Sequence, residues 1–384
     1  MRCVDRLRAD TPGTGNCAAA GARVSGKRAR VELGCQAKEA TRAGRFATCD
    51  KTEDARTRDA IARAGDCTAI DTIIADTEDC ATAIVNLTMV PTTTTTLVPT
   101  TTTTLPSTLP AVFLIVMENH NWSSIKGNVA APYINTVLLP MGSHAEQYYN
   151  PPRVHPSEPN YLWLEAGTNF GIRDDRPPAI NHQGSAGHLA TLLDAAGVSW
   201  TAYQEGLAGT DCPLADHGLY AVRHDPFVFF DDVTGGNNQN DARCIGHVRP
   251  YSELQTALSN NAVARYNFIT PNVCDDMHDS CGPLNNPVQQ GDTWLSTAVP
   301  SILASQAYAN NGVIFITWDE AATGDGPIGM IVLSPRVRGG GYSNSIPYTH
   351  SSTLRTVEEL FGVSPLLNDA ANASDLADLF ATFP

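Results

Sequence analysis

The 384-residue chain contains no run of 18 or more apolar residues. Because a helix needs about 20 predominantly apolar residues to cross a bilayer, we expect no membrane-spanning segment. The opening stretch MRCVDRLRAD also lacks the apolar core of a signal peptide. Histidine is absent before residue 120, so a zinc site in the first part of the chain would have to use cysteines alone.

Positive charge is scarce beyond residue 90. The first 90 residues carry 14 Lys and Arg against 13 Asp and Glu, whereas the remainder carries 11 against 27. Nucleic acids and anionic membranes demand a cationic face, so we expect the acidic part to bind neither. Any phosphate group that it handles must meet local positive charge, such as a metal ion.

Two near-copies of a proline-bounded threonine run separate two unlike parts of the chain. Residues 91–110 are PTTTTTLVPTTTTTLPSTLP, a composition that cannot bury a core and is typical of an extended, mucin-like spacer. We therefore predict a small cysteine-repeat domain over residues 1–90, a Thr/Pro-rich linker over 91–110 and a larger domain over 111–384.

Cysteines occur in even numbers in both predicted domains. The first holds six, separated by 14, 18, 14, 18 and 13 residues, and its Ala- and Arg-rich intervals have helical spacing. We predict short antiparallel helices joined by disulfides of open connectivity, serving attachment or spacing. Even counts also indicate an oxidising compartment, so we expect a secreted, periplasmic or cell-surface protein whose signal sequence has been trimmed or mis-started.

Short apolar runs alternate with helical patterns from residue 111 onward. Strands are predicted at 112–117, 199–204, 266–270, 313–318 and 330–334. Between them, helices are predicted from a cap at Ser185 to Gly197, from Asp292 onward, and from near Ser351 to Gly362. This alternation predicts an α/β fold with a mostly parallel sheet covered on both faces, in which ligands gather at the carboxyl ends of the strands.

Two of the predicted strands end in acidic side chains. VFLIVM runs into Glu118 and Asn119, and VIFITW runs into Asp319 and Glu320. If the two strands are parallel neighbours, three carboxylates and an amide meet, and their like charges repel unless a cation lies between them. One such acid alone would more simply face water, but the pair predicts a site for a divalent metal with oxygen ligands.

Ser157 stands between Pro156 and Pro159, ahead of the helix-compatible stretch YLWLEAG. Such a turn can hold a hydroxyl at a fixed point above a sheet. A serine hydroxyl is a weak nucleophile until a base or a metal takes its proton, which the acidic group would supply.

The segment 274–281 could instead be part of a zinc site, because it offers three soft ligands within eight residues: Cys274, His278 and Cys281. A fourth ligand is not evident, and the even cysteine count favours Cys274–Cys281 and Cys212–Cys244 disulfides. The first of these would brace the loop that presents Asp276 and His278.

In chain order, the motifs MENHNWSSIKGN…APYIN, HPSEPNYL, HDPF, ITPNVCDDMHD, GDTWL, ITWDE and YTHSSTLRTVEELFG resemble the phosphoesterase family of secreted acid phosphatases and phospholipases C. The resemblance covers essentially all of residues 111–384 and implies the alkaline phosphatase-like α/β/α sandwich. Tyr161 stands where sulfatases have Arg, which counts against sulfate esters.

The resemblance also implies roles for individual residues. It implies a single divalent metal ion (Ca²⁺, Mg²⁺, Mn²⁺ or Zn²⁺) held by Glu118, Asn119, Ser157, Asp319 and Glu320. Ser157 would also be the nucleophile, forming a phosphoserine. His278 and His350 would take part in catalysis, and the residues expected to surround the phosphate are His155, Asn160, His224 and Asp276.

We expect a metal-dependent phosphoesterase that hydrolyses small phosphomonoesters, because the domain shows no added lipid-binding part and no long exposed apolar stretch. Phospholipase C activity on phospholipid headgroups is the alternative substrate class. An alternative of another kind is a non-catalytic binding protein displayed on the cell surface through its N-terminal domain.

Overall fold

The computed structural model of this chain describes residues 109–184 and 186–384. The cysteine-repeat domain over 1–90 with its six cysteines and residues 91–108 of the linker lie outside the described residues, as does Ser185. None of the helices in the described part is both long and apolar enough for a membrane crossing.

Eight strands form one sheet in the described residues, in the order β5-β4-β6-β1-β7-β8-β2-β9. Seven of them run in the same direction, and only β8 is reversed. Strands β3 and β10 pair in parallel as a separate ribbon. The strands are β1 Val112–Met117, β2 Ser143–Ala145, β3 Tyr148–Tyr149, β4 Trp200–Gln204, β5 Val248–Pro250, β6 Tyr266–Thr270, β7 Val313–Trp318, β8 Met330–Leu333, β9 Tyr342–Asn344 and β10 Tyr348–Thr349.

The central strands are buried along their whole length. Every residue of β1, β6, β7 and β8 is buried, so both faces of the sheet are covered. This explains the nearly continuous apolar sequences of β1, β7 and β8, since a strand buried on both faces shows no polar alternation. The predicted α/β architecture with a mostly parallel sheet is confirmed.

Eleven α-helices connect the strands in the described part. They are α1 Trp122–Ile125, α2 Leu139–Met141, α3 Ser157–Ala166, α4 Pro178–Asn181, α5 Leu189–Ala195, α6 Asp231–Thr234, α7 Ala242–His247, α8 Leu254–Ser259, α9 Pro287–Leu303, α10 Gln306–Ala309 and α11 His350–Phe361. A π-helical turn, Ile134–Leu138, precedes α2, and 3₁₀ turns lie at Val222–His224, Pro226–Phe229, Tyr251–Glu253, Asn368–Asn372 and Ala377–Leu379.

Helices α3 and α11 pack against each other and carry predicted site residues at their first positions. Ser157 begins α3 directly after Pro156, and His350 begins α11. Helix α11 ends before Gly362, whose φ of 64° is the left-handed conformation that glycine adopts at a helix end, as predicted. The Trp163 indole N–H donates to Ser351 Oγ at 2.8 Å and ties the two helices together.

Two predicted helix starts were wrong. Helix α5 begins at Leu189, with His188 rather than Ser185 as its N-cap. Helix α9 begins at Pro287, before the predicted Asp292, because the Asn286 side chain accepts a hydrogen bond from Gln289 N–H and proline suits the first helical turn.

Both predicted disulfides of the larger domain are present. Cys212 bonds to Cys244 and Cys274 bonds to Cys281, with Cα atoms 5.4 and 5.7 Å apart. The second bond closes the loop that carries Asp276 and His278. The zinc alternative for this loop is therefore wrong, because both of its cysteine ligands are used in a disulfide.

Candidate active site

The carboxyl ends of β1 and β7 lie side by side. The strands are parallel neighbours, paired from Val112 with Val313 to Met117 with Trp318. The Asn119 amide N–H donates to Asp319 Oδ1 at 2.9 Å just beyond their last residues. The two polar strand ends therefore meet, as the sequence pattern suggested.

The side-chain oxygen of Asn119 faces hydrogen-bond acceptors alone. It lies 3.0 Å from Asp319 Oδ1 and 3.3 Å from Glu118 Oε2. Three oxygen acceptors so close repel one another unless the amide is rotated to present its NH₂ group or a cation lies among them. The donor set of two carboxylates and an amide oxygen suits a hard divalent cation.

Ser157 joins this group from the first turn of α3. Its hydroxyl donates to Glu118 Oε2 at 3.1 Å, and both side chains are buried. Glu118 is thereby placed between the nucleophile candidate and the end of β7.

Tyr161 holds the other oxygen of Glu118. One turn after Ser157 on α3, its hydroxyl donates to Glu118 Oε1 at 2.5 Å, and its ring stacks on His224 with centroids 5.3 Å apart. Sequence comparison with sulfatases singled out Tyr161 only as a departure from their pattern. Its spacing of four residues from Ser157 is the signal that would have placed it at the site.

A buried group of Glu118, His224 and Asp276 could hold a metal ion. Each offers one ligand atom, and these atoms all lie within 4.8 Å of one another. His224 Nε2 is 3.5 Å from Glu118 Oε2, and His224 Nδ1 is 3.3 Å from Asp276 Oδ2. Neither His224 Nε2 nor Asp276 Oδ2 has a hydrogen-bond partner within the described residues.

Burial and mutual repulsion disfavour the charged forms of these acids. The pKa of Glu118 is raised well above its ordinary value by burial and by the charges of Asp319 and Asp276. Burial likewise raises the pKa of Asp276, and that of Asp319 to about 6. A bound cation would reverse this penalty, because it favours the ionised ligands. The unpartnered atoms and the oxygen cluster together fit a divalent metal ion.

Glu320 faces a different set of partners. Its Oε2 accepts hydrogen bonds from Asn160 Nδ2 at 3.0 Å and from His155 Nδ1 at 2.6 Å. Burial, followed by the charge of Asp319, raises the Glu320 pKa to about 9. The structure thus brings Glu320, Asn160 and His155 together beside the Glu118 group, and the proposed metal-binding role of Glu320 stays a prediction.

The remaining predicted histidines differ in exposure. His350 is fully buried, with Nε2 2.5 Å from the Asp319 carbonyl oxygen and Nδ1 3.2 Å from the Tyr148 hydroxyl. Burial lowers its pKa to about 4. His278 is 29% exposed, hydrogen-bonds Asp279 through Nδ1 and lies with its ring 5.8 Å from that of His224. His278 is therefore the histidine of the two placed to exchange protons with solvent.

Two residues near the site, Asp175 and Arg223, were not predicted from the sequence. Asp175 Oδ1 accepts the Glu158 backbone N–H at 2.9 Å, and its Oδ2 lies 4.0 Å from Arg223 Nε. No motif connects Asp175 with Ser157, and Arg223 lies one residue before the motif HDPF. Folding alone brings them together.

Comparison with known proteins gives the family. The family model described as the Phosphoesterase family matches residues 142–364. The chain belongs to the phosphoesterase family. As a member, it is a hydrolase of phosphoric ester bonds, which contradicts the alternative of a non-catalytic binding protein.

Relatives with assigned names are phosphatases. A phosphatidylinositol-3-phosphatase of Mycobacterium tuberculosis is 30% identical over 71% of this chain and 83% of its own length. An acid phosphatase of Aspergillus niger is 30% identical over 55% of this chain, and the match spans 50% of that relative's length. A solved protein of the alkaline phosphatase superfamily from Vibrio parahaemolyticus has a TM-score of 0.47 and 12% identity, covering 71% of this chain and 72% of that one.

Proposed function

We propose that this chain is a secreted, metal-dependent phosphatase that hydrolyses phosphomonoesters through a phosphoserine at Ser157. The observation that carries the proposal is the 3.1 Å hydrogen bond from Ser157 Oγ to Glu118 Oε2, which directs a buried hydroxyl into a cluster of acids. A serine whose proton faces a carboxylate has the acceptor that nucleophilic attack requires.

In the first step, Ser157 Oγ forms a bond to phosphorus while the ester P–O bond opposite to it breaks. The Ser157 proton leaves along its hydrogen bond to Glu118 Oε2 and passes on to solvent, so that Glu118 stays ionised as a ligand. The leaving alcohol takes a proton from the imidazolium of His278, whose partial exposure lets it be recharged from solvent.

In the second step, a water oxygen attacks the same phosphorus and the P–Oγ bond breaks. Ser157 Oγ regains a proton from solvent, and a proton of the attacking water restores the His278 imidazolium. The products are an alcohol and inorganic phosphate, and the side chains return to their starting protonation states.

Glu118, Asn119, Ser157, Asp319 and Glu320 are the residues proposed to hold a divalent cation, with His224 and Asp276 as further donors. When bound, the cation would offset the charge of the phosphoryl oxygens and favour the Ser157 alkoxide. The contacts of Asn160 and His155 with Glu320 support a role for both in orienting that carboxylate.

The names of the two relatives, phosphatidylinositol-3-phosphatase and acid phosphatase, support monoesters as the substrate class. Secretion is supported by the Cys212–Cys244 and Cys274–Cys281 disulfides, since such bonds persist in oxidising compartments.

The test compares the purified full chain with its Ser157→Ala variant on p-nitrophenyl phosphate and on phosphatidylcholine. We expect hydrolysis of the monoester and its loss in the variant. Release of diacylglycerol with negligible monoesterase activity would instead favour phospholipase C. Equal turnover by both proteins would remove Ser157 as the nucleophile.

A further inference from the structure

Arg223 is a largely buried cation without a strong partner. It lies in the turn Val222–His224, and its side chain is 22% exposed. Within residues 109–184 and 186–384 its guanidinium makes no hydrogen bond, and its one ion-pair contact, Nε to Asp175 Oδ2, is 4.0 Å long. That distance is too long for a hydrogen bond, so the five N–H donors of the guanidinium can bind a ligand.

Asp175 links Arg223 to the turn that carries the nucleophile. Its second oxygen, Oδ1, accepts the backbone N–H of Glu158 at 2.9 Å, and Glu158 follows Ser157 directly. Asp175 therefore links the guanidinium to the backbone of the first turn of α3, the turn that begins with Ser157.

The charge of Arg223 reaches the interior of the site. It lowers the pKa values of Glu118, Asp276 and Asp175, although burial raises all three more strongly. Arg223 also directly precedes His224, whose ring lies between Glu118 and Asp276. Its positive charge thus acts on the acid cluster, although part of its side chain contacts solvent.

A phosphomonoester near neutral pH carries close to two negative charges, because the second pKa of a phosphate ester is about 6. A phosphodiester carries only one. Acidic side chains dominate the site, so a dianion needs more compensating charge than a monoanion does. A guanidinium presents parallel N–H donors that match two phosphate oxygens.

We propose that Arg223 binds the non-bridging oxygens of the substrate phosphate and selects dianionic phosphomonoesters over monoanionic phosphodiesters. This inference rests on the proposed function for its substrate class. Asp175 positions the guanidinium and releases it to the phosphate when substrate binds. The 4.0 Å contact between Arg223 and Asp175 is weak enough for the guanidinium to exchange Asp175 for the phosphate.

The decisive measurement is equilibrium binding, which needs no turnover. Inorganic phosphate, largely dianionic at about pH 8, and the monoanion dimethyl phosphate are titrated calorimetrically into the metal-loaded full chain. We expect Arg223→Gln to weaken phosphate binding about 10- to 100-fold, the usual worth of a hydrogen-bonded charge pair, with a much smaller effect on dimethyl phosphate. Arg223→Lys should recover only part of the loss.

Arg176→Gln is the matched control. Arg176 lies next to Asp175 in sequence, but it is 61% exposed and pairs with Asp174, so phosphate binding should be unchanged. The inference would be overturned if Arg223→Gln weakened the binding of phosphate and of dimethyl phosphate equally, or weakened the binding of neither. Thermal unfolding of each variant shows whether the fold is retained.

Kinetics separate this inference from the proposed function. If the parent chain hydrolyses neither p-nitrophenyl phosphate nor bis-p-nitrophenyl phosphate, the proposed function fails, while the phosphate titration still decides the role of Arg223. If the parent is active, Arg223→Gln should lower kcat/KM for the monoester by more than for the diester. A common factor for both esters would count against Arg223 as the selecting residue.

Discussion

The Tyr161 hydroxyl donates a 2.5 Å hydrogen bond to Glu118 Oε1, opposite to the oxygen that accepts from Ser157. Both donors come from one face of α3, so a single helix turn fixes both oxygens of the carboxylate. Burial raises the pKa of Glu118 most strongly, and the Tyr161 hydrogen bond opposes this effect, so that bond favours the ionised carboxylate that a cation needs as a ligand.

Replacing Tyr161 by Phe removes that donor and keeps the stacked ring. We expect metal affinity to fall about 10- to 100-fold, as is usual when a hydrogen bond to a metal ligand is lost. Competition with a fluorescent chelator measures the affinity. Tyr149→Phe is a suitable control, because the Tyr149 hydroxyl bonds Gln147 away from Glu118. Equal affinities in all three proteins would show that Tyr161 does not support the ligand.

Replacing Asp319 by Asn removes one of the carboxylates that meet at the ends of β1 and β7. The side chain can still accept the Asn119 N–H, so the fold should survive while bound metal falls. Elemental analysis after exhaustive dialysis checks this, with the exposed Glu253→Gln as control. An unchanged metal content in Asp319→Asn would place the ion elsewhere.

The two disulfides should contribute unequally to stability. Cys212–Cys244 spans 32 residues and Cys274–Cys281 spans 7. Loop-closure entropy predicts losses in unfolding free energy of about 4 and about 2 kcal/mol when each pair is replaced by Ala. Urea unfolding measures both. A larger loss for the short loop would mean that native packing, not chain entropy, dominates.

The burial of Glu165 predicts that the free energy of unfolding depends on pH. It is fully buried on α3 and accepts the Tyr266 hydroxyl at 2.9 Å, and burial raises its pKa to about 8 from 4.5. The folded chain therefore keeps a proton that the unfolded chain releases above pH 4.5, so this group's contribution to stability falls as pH rises from 4.5 to about 8.

Glu165→Gln removes this pH dependence. The stability of the variant relative to the parent should rise between about pH 5 and pH 8, by at most about 4–5 kcal/mol. Urea unfolding at both pH values measures the difference, with Glu253→Gln as a surface control. A difference that is constant with pH would contradict a raised pKa at Glu165.

The sequence predicted β1 and β7 well, because both strands are buried on both faces and therefore read as nearly continuous apolar runs. The three-residue strands β2 and β9 were not predicted, since so short a segment carries no periodicity of its own. The pairing of β2 with β8 on one side and with β9 on the other is a product of tertiary packing.

The site was predictable where its residues follow strands or begin helices. Glu118 and Asp319 were found because two apolar runs end in acids, and parallel neighbours bring such ends together. Arg223 and Asp175 could not be found in this way. They approach the first turn of α3 from separate loops, and only the folded chain shows that contact.

The most direct test of the account is to trap the proposed phosphoserine. The full chain is mixed with excess p-nitrophenyl phosphate, quenched in acid within one turnover, digested and analysed by peptide mass spectrometry. We predict a phosphate adduct on the peptide that contains Ser157, and none in Ser157→Ala, which should also lose turnover. Turnover by the parent without any adduct, or full activity in Ser157→Ala, would contradict the account.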